Sequence, residues 1–470
     1  NTILTLRLQP ETDSYIDFIY KIPQNSYCVD FDIAAHNMQS YFPPMTNRLD
    51  FTWNTKIRQQ ELGRKTENRY ATLNYMYTDN DIERLKEGKN DAKSASTPTK
   101  WFAAKDHFFS TILMSKTGFA TANLSSEIYS DENSKYLKNY TVHSVIDFDA
   151  TGNKPTNLQL YFVPNQYKVL AGFNDGLDKA QRPNLQELIP LGWTLFRWVN
   201  KYAIIPLFNL LGSFMSSWGL IILIVTVIIK IVLLPLTFKS YMSSAKMRVL
   251  KPQVDAINER IPADKMMERQ QAQMSLYRSV GVSPMGGCLP MILQMPILVA
   301  VFMYLPSAFE LRQQSFLWAT DLSTFDTLPF LTWNTAIPFI GKHISLFCLL
   351  MTITNVIYTK VNMAATAGSN QQMAMMKWMM YLMPVMFFFM FNDYSSGLNF
   401  YYFVSLFFSA AIMWFLRKTT NDEKLLSILE ANYKEAQNNP QKLKGLSARL
   451  QAMQQQQQEL QRKREQLGKK

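Results

Sequence analysis

Residues 219–236 read GLIILIVTVIIKIVLLPL, an apolar run from Gly219 to Leu236 with one charge, Lys230, inside it. As a helix it rises about 27 Å at 1.5 Å per residue, close to the roughly 30 Å hydrocarbon core of a bilayer. Four further apolar runs lie downstream. Gly286 to Leu305 and Ile344 to Thr359 hold no charge, Trp378 to Asn392 lies between Lys377 and Asp393, and Tyr394 to Leu416 lies between Asp393 and Arg417. The run from Trp378 rises only about 22 Å. It needs either a snorkelling Lys377 with an added turn from Met373 to Met376, or a locally thinned bilayer. Five transmembrane helices are expected.

Composition agrees. The 470 residues are 47% hydrophobic and 18% charged, below the roughly 25% charged of soluble domains. Mean hydropathy is only −0.11, so a polar region must dilute the apolar one. A single soluble globule is excluded, and 31 Phe, 22 Tyr and 9 Trp exclude intrinsic disorder. The net charge of +12 points to anionic partners such as lipid headgroups or RNA; DNA is not among the expected partners. Cys28, Cys288 and Cys348 form neither a disulfide framework nor a metal cluster. No metal and no cofactor are expected.

The polar region is residues 1 to about 185. Alternating stretches such as Ile3 to Leu8 and Leu158 to Val163, separated by Asn, Asp, Gly and Pro clusters, predict a β-rich domain. Lys86 to Ser96 reads as an exposed loop. Residues 190–212 carry Trp193, Phe196, Trp198 and Phe208 with Arg197 and Lys201 among them. That mixture suits an amphipathic helix lying in the membrane interface, although an ordinary core helix has the same pattern.

Orientation follows from the loops. Lys239 to Ser283 holds eight Lys/Arg against four acids, Pro306 to Gly341 holds Arg312 alone, and the tail from Arg417 holds twelve. The positive-inside rule puts the first loop and the tail in the cytoplasm and, with five spans, the β domain outside. Export of such a domain requires an upstream signal or helix, so a sixth span before Asn1 is expected. Residues 240–282 read as a cytoplasmic helical hairpin broken at Pro262-Ala263-Asp264, with Pro252 starting or kinking its first arm. Residues 417–470 read as a basic tail. It carries a weak heptad from Leu446 to Leu467 and a glutamine run from Gln454 to Gln458.

No phosphate-binding loop, nucleophile elbow or zinc-protease motif is present, and none of His36, His107, His143 and His343 lies in an apolar run. Enzymatic activity is not expected. The informative residue is Lys230. A charge in a span faces a wet cavity or a partner, unless it snorkels to the nearby cytoplasmic end. Thr226 stands one turn earlier. Thr352, Asn355 and Thr359 recur in one later span; Asn399, Tyr402, Ser405 and Ser409 recur in the last; Gln294 sits mid-span between Pro290 and Pro296. Each stripe alone is ordinary helix-packing glue. With an unpaired cation and no acid in any span, the stripes together suggest a polar, water-filled groove awaiting an anionic or polar guest. The 26 methionines, crowded from Met373 to Met390, suit either a surface that accepts varied apolar partners or plain lipid-facing filler.

The ordered motifs Trp218-Gly219 through Lys230 to Pro235-Leu236-Thr237, Ala245 to Arg248, Pro284 to Pro290, Gln294 to Ile297 and Gly397 to Tyr402 resemble the YidC/Oxa/Alb membrane-protein insertases over about residues 190–420. The upstream domain resembles the large periplasmic β-super-sandwich of Gram-negative members, chiefly in its order and in Trp101 to Ile112. The resemblance implies a multi-pass protein of the bacterial inner membrane. Its hydrophilic groove, open to cytoplasm and lipid, receives the polar flank of an incoming segment, without nucleotide hydrolysis. Implied partners are nascent membrane proteins, the lipid bilayer, the Sec translocon and, through the basic tail, the ribosome. Lys230 falls where the family usually has arginine, so the charge transfers but the bidentate fork does not. Thr226, Tyr402 and Gln294 match groove positions, Asn399, Ser405 and Asn355 join them by stripe, and Lys246, Arg248 and Lys251 fall in the mobile cytoplasmic loop. Two other readings stay open: a transporter or channel using Lys230 as its site, and a Sec-associated adaptor acting through the β domain.

Overall fold

The computed structural model describes residues 2–95, 97–262, 264–282, 289–363 and 371–438. Alternation in the first third produces strands, as expected. An eight-stranded antiparallel sheet runs in the order Thr2–Glu11, Ser14–Ile22, Cys28–His36, Thr156–Pro164, Phe109–Phe119, Thr99–Lys105, Thr72–Tyr77, Ile82–Arg84. A four-stranded sheet, Arg48–Arg58, Tyr136–Asp147, Ala122–Ile128, Asp91–Ala95, packs on it. Inward residues of both sheets share one core, among them Phe31, Leu73, Phe102 and Leu113 from the first and Ile57, Leu124, Tyr140 and Val142 from the second. This is a sandwich. The stretch 86–96 corrects one expectation: Asp91–Ala95 is a strand paired with Ala122–Ile128. It looks like a loop because an edge strand with one wet face keeps polar residues.

The short helix α1 (Arg64–Tyr70) lies in this domain, and α2 (Tyr167–Gly172) follows its last strand. The larger sheet has a second apolar face. Met76, Trp101, Ala103, Ile112 and Tyr161 continue through Leu170, Leu185 and Leu188 into the membrane half. There α3 (Thr194–Val199), a π-helical turn Asn200–Ile204 and α4 (Ile205–Gly212) form the expected amphipathic element. Ile204, Ile205 and Phe208 are buried, while Trp193, Trp198, Tyr202 and Phe214 are exposed, the distribution of an interfacial helix.

All five apolar runs are helical. They are α5 (Trp218–Val249), α8 (Leu289–Tyr304), α9 (Leu346–Met363), α10 (Gln371–Phe391) and α11 (Ser396–Thr419), with α6 (Lys251–Arg260) and α7 (Met266–Ser279) after α5 and α12 (Asp422–Asn438) after α11. By length and composition α5 and α11 suffice to cross a bilayer; Gln294–Ser307, Leu346–Asn362 and Trp378–Phe391 are shorter apolar segments. The short run from Trp378 gains length because α10 starts at Gln371, giving 21 residues and about 31 Å. Trp378, Met379, Met383, Met386 and Met390 are exposed along it.

The hairpin's first arm begins at Lys251, not at residue 240: residues 240–249 belong to α5. Pro252, in the first turn of α6, starts that arm, since its missing N–H costs nothing there. Residues 284–288 and the tail beyond 438, including the heptad from Leu446, lie outside the described residues. The part of the tail that is described is not simply solvated. Leu425 packs with Tyr241, Ala245 and Leu416, Leu429 packs with Leu250, Val280 and Val282, and Asp422 pairs with Arg248 at 2.7 Å.

The chain divides into two compact units: Asn1–Val232, Ile292–Thr359 and Trp378–Ala410 form one, Leu233–Met291, Lys360–Lys377 and Ala411–Lys470 the other. Within the first, a polar seam holds the β domain to one end of the helices. Arg312 Nε meets Glu61 Oε1 at 2.7 Å, His107 Nε2 bonds the Pro306 carbonyl at 2.7 Å, Thr66 Oγ1 donates to the Asp393 carbonyl at 3.1 Å, and Arg69 donates to the Tyr394 hydroxyl. Glu61 is nearly buried. Removing one partner of such a pair costs about 3–5 kcal/mol because a buried charge is left uncompensated. Arg312→Ala is expected to lower the thermal midpoint of the solubilised protein by that equivalent, and adding Glu61→Gln to recover most of it.

Behind the seam lies a buried cluster. Glu67 accepts the Gln60 and Glu61 amides at 2.7 and 3.0 Å. Burial, with the charge of Asp106 added, pushes it up to about 8 from its ordinary 4.5, and burial pushes Asp106 up to about 6 from 3.8. A raised carboxyl contributes stability below its unfolded value that is lost as pH rises through its folded one. Burial lowers His107 to about 3 from 6.5, so its stability is complete above 6.5; burial lowers Lys105 and Lys138 to about 8 from 10.5, and they are constant below 8. Between pH 6.5 and 8 the loss belongs to Glu67. The thermal midpoint is expected to fall across that window, and Asp106→Asn, which removes the like charge and supplies a donor, to flatten the fall.

Candidate functional site

Lys230 lies about 12 residues into α5, deep in an apolar helix, and is 8% exposed. Its Nζ donates to Ser409 Oγ of α11 at 2.8 Å, and Ser409 Oγ donates in turn to its own helix at the Ser405 carbonyl, 2.9 Å. Among the described residues Ser409 is the one hydrogen-bond partner of this ammonium, and no carboxylate stands within ion-pair distance. An ammonium has three donors, so the site holds donor capacity in excess of what the helices satisfy.

The hydroxyls around it have a common geometry. Thr226 donates to the Ile222 carbonyl at 2.7 Å and Thr352 to the Cys348 carbonyl at 2.9 Å, the same four-residue back-bond that Ser409 makes. A hydroxyl bonded backward along its helix has spent its proton. What remains is lone pairs. These three hydroxyls therefore offer acceptors, and the ammonium offers donors.

The structure brings together Lys230, Ser409 and the Ser405 carbonyl, with Thr226 buried one turn along the same helix. Tyr402 is half-buried one turn before Ser405, its ring 5.7 Å from Phe391. Gln294 on α8 and Asn355 on α9 are also half-buried, without a hydrogen bond to Lys230. Asn399 is elsewhere. It is fully buried in the first turn of α11, donating to the Phe391 carbonyl at 3.1 Å and facing Ser345 Oγ at 3.5 Å. Of the loop residues, Arg248 is paired with Asp422, Lys246 is half-buried near the end of α5, and Lys251 opens α6.

Asn399 belongs to a polar plug that sequence reasoning missed. Asp326 is buried; it accepts the Phe347 amide at 2.9 Å and Trp318 Nε1 at 2.8 Å, and takes the Ser345 hydroxyl. It thereby satisfies one of the first amides of α9, which otherwise lack partners. Asn392 donates to the Ile340 and His343 carbonyls and accepts the Ser345 amide. Gly397 donates to the Leu322 carbonyl at 2.9 Å, and a Cβ there would stand 3.0 Å from that oxygen. The plug ties the starts of α9 and α11 to the end of α10. Asn200 was missed as well: it is fully buried and joins the Leu191 and Ala300 carbonyls at 3.2 and 2.9 Å. No local signal marked these residues, because an acid or amide in a polar loop reads as exposed.

An all-β domain held on a bundle of apolar helices, two of them long and apolar enough to cross a bilayer, defines a membrane protein with a domain outside the membrane. Residues 210–424 match the family model described as 60Kd inner membrane protein, and residues 1–205 that of the YidC periplasmic domain. Proteins named membrane protein insertase YidC are 49% identical over 470 residues in Parabacteroides distasonis (99% of this chain, 73% of the relative), 47% over 465 in Bacteroides fragilis (98% and 74%) and 38% over 470 in Porphyromonas gingivalis (98% and 74%). The chain belongs to this family of inner-membrane insertases, and the β sandwich is its periplasmic domain.

Losing Asp326 leaves buried donors unpaired, at about 1–3 kcal/mol each. In a chain whose only cysteine is Cys348, which is fully buried beside the plug, a membrane-impermeant maleimide added from the periplasmic side is expected to leave the parent unlabelled. Asp326→Ala is expected to be labelled.

Proposed function

We propose that Lys230, with Thr226, Ser405 and Ser409 around it and with Tyr402, Gln294 and Asn355 along the neighbouring faces, forms the groove through which this insertase takes the polar flank of an entering segment. The observation that carries this is the buried ammonium with a single hydroxyl partner. Such a group attracts a carboxylate or carbonyl, and a hydroxyl is a weak enough partner to be displaced. The apolar part of the client then moves into lipid, driven by its own transfer. The exposed methionines of α10 supply an adaptable surface beside that path. Nothing in this sequence of steps requires a nucleotide.

The plug supports the same reading from the other end. A groove that conducts polar groups must not also conduct ions, and a dense buried hydrogen-bond network is a physical seal. Asn399 is accordingly assigned to closure and not to client contact. The hairpin α6–α7, with Lys246, Arg248 and Lys251 at its base, and the α12 packed on it are cytoplasmic in this reading. The Sec translocon and the ribosome are further partners in this reading, the latter through the basic residues from Arg417 onward.

Lys230→Glu is expected to lower insertion of a single-span client with an acidic translocated tail by roughly tenfold, the equivalent of about 1.4 kcal/mol, while Lys230→Arg retains most of it. Protease protection of the tail in vesicles reads the result. A photoreactive residue at Tyr402 is expected to capture stalled nascent chains at one length only and to release them once the span is complete. Undiminished insertion by the glutamate variant would remove Lys230 from the groove.

A further inference from the structure

The C-terminal halves of α5 and α11 leave an apolar cavity of about 600 Å³ between them, lined by Leu234, Pro235, Phe238, Ala411, Ile412, Phe415 and Leu416. All seven belong to one compact unit. Ala411 is small and leaves the space beside it unfilled. No polar side chain lines it. Phe238 and Phe415 stand at its mouth, both exposed.

Charge collects at one end of this cavity. Lys239 directly follows Phe238, and Arg417 and Lys418 directly follow Leu416; all three are exposed. Lys418 Nζ lies 5.4 Å over the exposed Trp414 ring, a cation–aromatic pair of the kind found at membrane interfaces. Neither α5 nor α11 contains an acid. Nearby Arg248 is matched by Asp422, whereas among the described residues Lys239, Arg417 and Lys418 enter no salt bridge.

We propose that this cavity is a phospholipid site, holding one acyl chain while Lys239, Arg417 and Lys418 hold an anionic headgroup. The lining residues cover about one and a half turns of either helix, roughly 8 Å, against the roughly 30 Å of a client span, and a wholly apolar lining fits a hydrocarbon chain. Charge complementarity selects the headgroup: three cations clustered at the end of an apolar slot favour an anionic lipid over a zwitterionic one. The inference does not rest on the role proposed for Lys230.

Native mass spectrometry of the full chain, equilibrated with phosphatidylglycerol and phosphatidylethanolamine of identical acyl chains, tests this. The expected result is one retained phosphatidylglycerol, preferred at least tenfold. Near an anionic headgroup each cation contributes about fivefold, so Lys239→Gln/Arg417→Gln/Lys418→Gln is expected to abolish the preference while an acyl chain of either lipid is still retained. Ala411→Trp fills the cavity and is expected to cut retention at least tenfold; the smaller Ala411→Leu, which serves if the Trp variant does not fold, cuts it partially. Equal retention of the two lipids by the parent chain, or retention unchanged by both Ala411 variants, overturns the proposal. Capture of a stalled nascent chain instead of lipid by a photoreactive residue at Ile412 overturns it equally.

Discussion

An ammonium group buried among apolar helices and answered by a single serine hydroxyl constrains the structure around it. A cation at this depth costs several kcal/mol unless water or a partner reaches it. The apolar wall of α5 therefore has to be interrupted on one face, and the interruption is what Thr226, Ser405 and Ser409 supply. The protons of Thr226 and Ser409 are already committed to carbonyls four residues back. They solvate a positive charge without competing with it for acceptors, and they leave Lys230 as the principal donor on offer. A carboxylate in place of Ser409 would neutralise the site; the hydroxyl leaves it unsatisfied.

That interruption creates a second requirement. Polar groups inside a bilayer invite water, and water that passes from end to end makes a pore. The Asp326–Ser345–Asn392–Asn399 network meets the requirement where α9, α10 and α11 converge. It is built from the opposite chemistry to the Lys230 site: nearly every donor and acceptor is used, and one carboxylate takes three bonds. The periplasmic domain adds to this end through its seam with Pro306, Arg312 and Asp393. A dense hydrogen-bond network at one end and an unsaturated cation deeper in the bundle suit the proposed one-ended groove.

Much of this was legible in sequence because hydrophobicity is read by period and run length. Every apolar run became a helix, and the alternating stretches became strands. Depth was not legible. Asn399, Tyr402 and Ser405 fall on one helical stripe, yet the stripe does not say that Asn399 occupies the first turn, where it caps its neighbours. Asp326 illustrates the converse: in a polar loop, nothing local distinguishes an exposed acid from one that satisfies an amide at the start of α9. The strand Asp91–Ala95 was obscured by its own edge position, and the first hairpin arm by the absence of any break between the apolar and basic parts of α5.

The magnitudes show why such a site suits insertion without a nucleotide. An acidic residue carried to mid-span costs about 2.5–3.5 kcal/mol on insertion scales. A pair of charges 4 Å apart gains about 4 kcal/mol at the effective dielectric of a hydrated protein surface, comparable to that cost. The apolar residues of the entering segment contribute about 0.3–0.6 kcal/mol each at the helix centre, so a full span outweighs the electrostatic contact by a wide margin. In the proposed groove a cation of this strength lowers the barrier to the polar flank while remaining too weak to retain a segment whose apolar part has reached lipid. Lysine meets that condition better than arginine where bidentate grip would slow release, so the role proposed for position 230 rests on more than its charge.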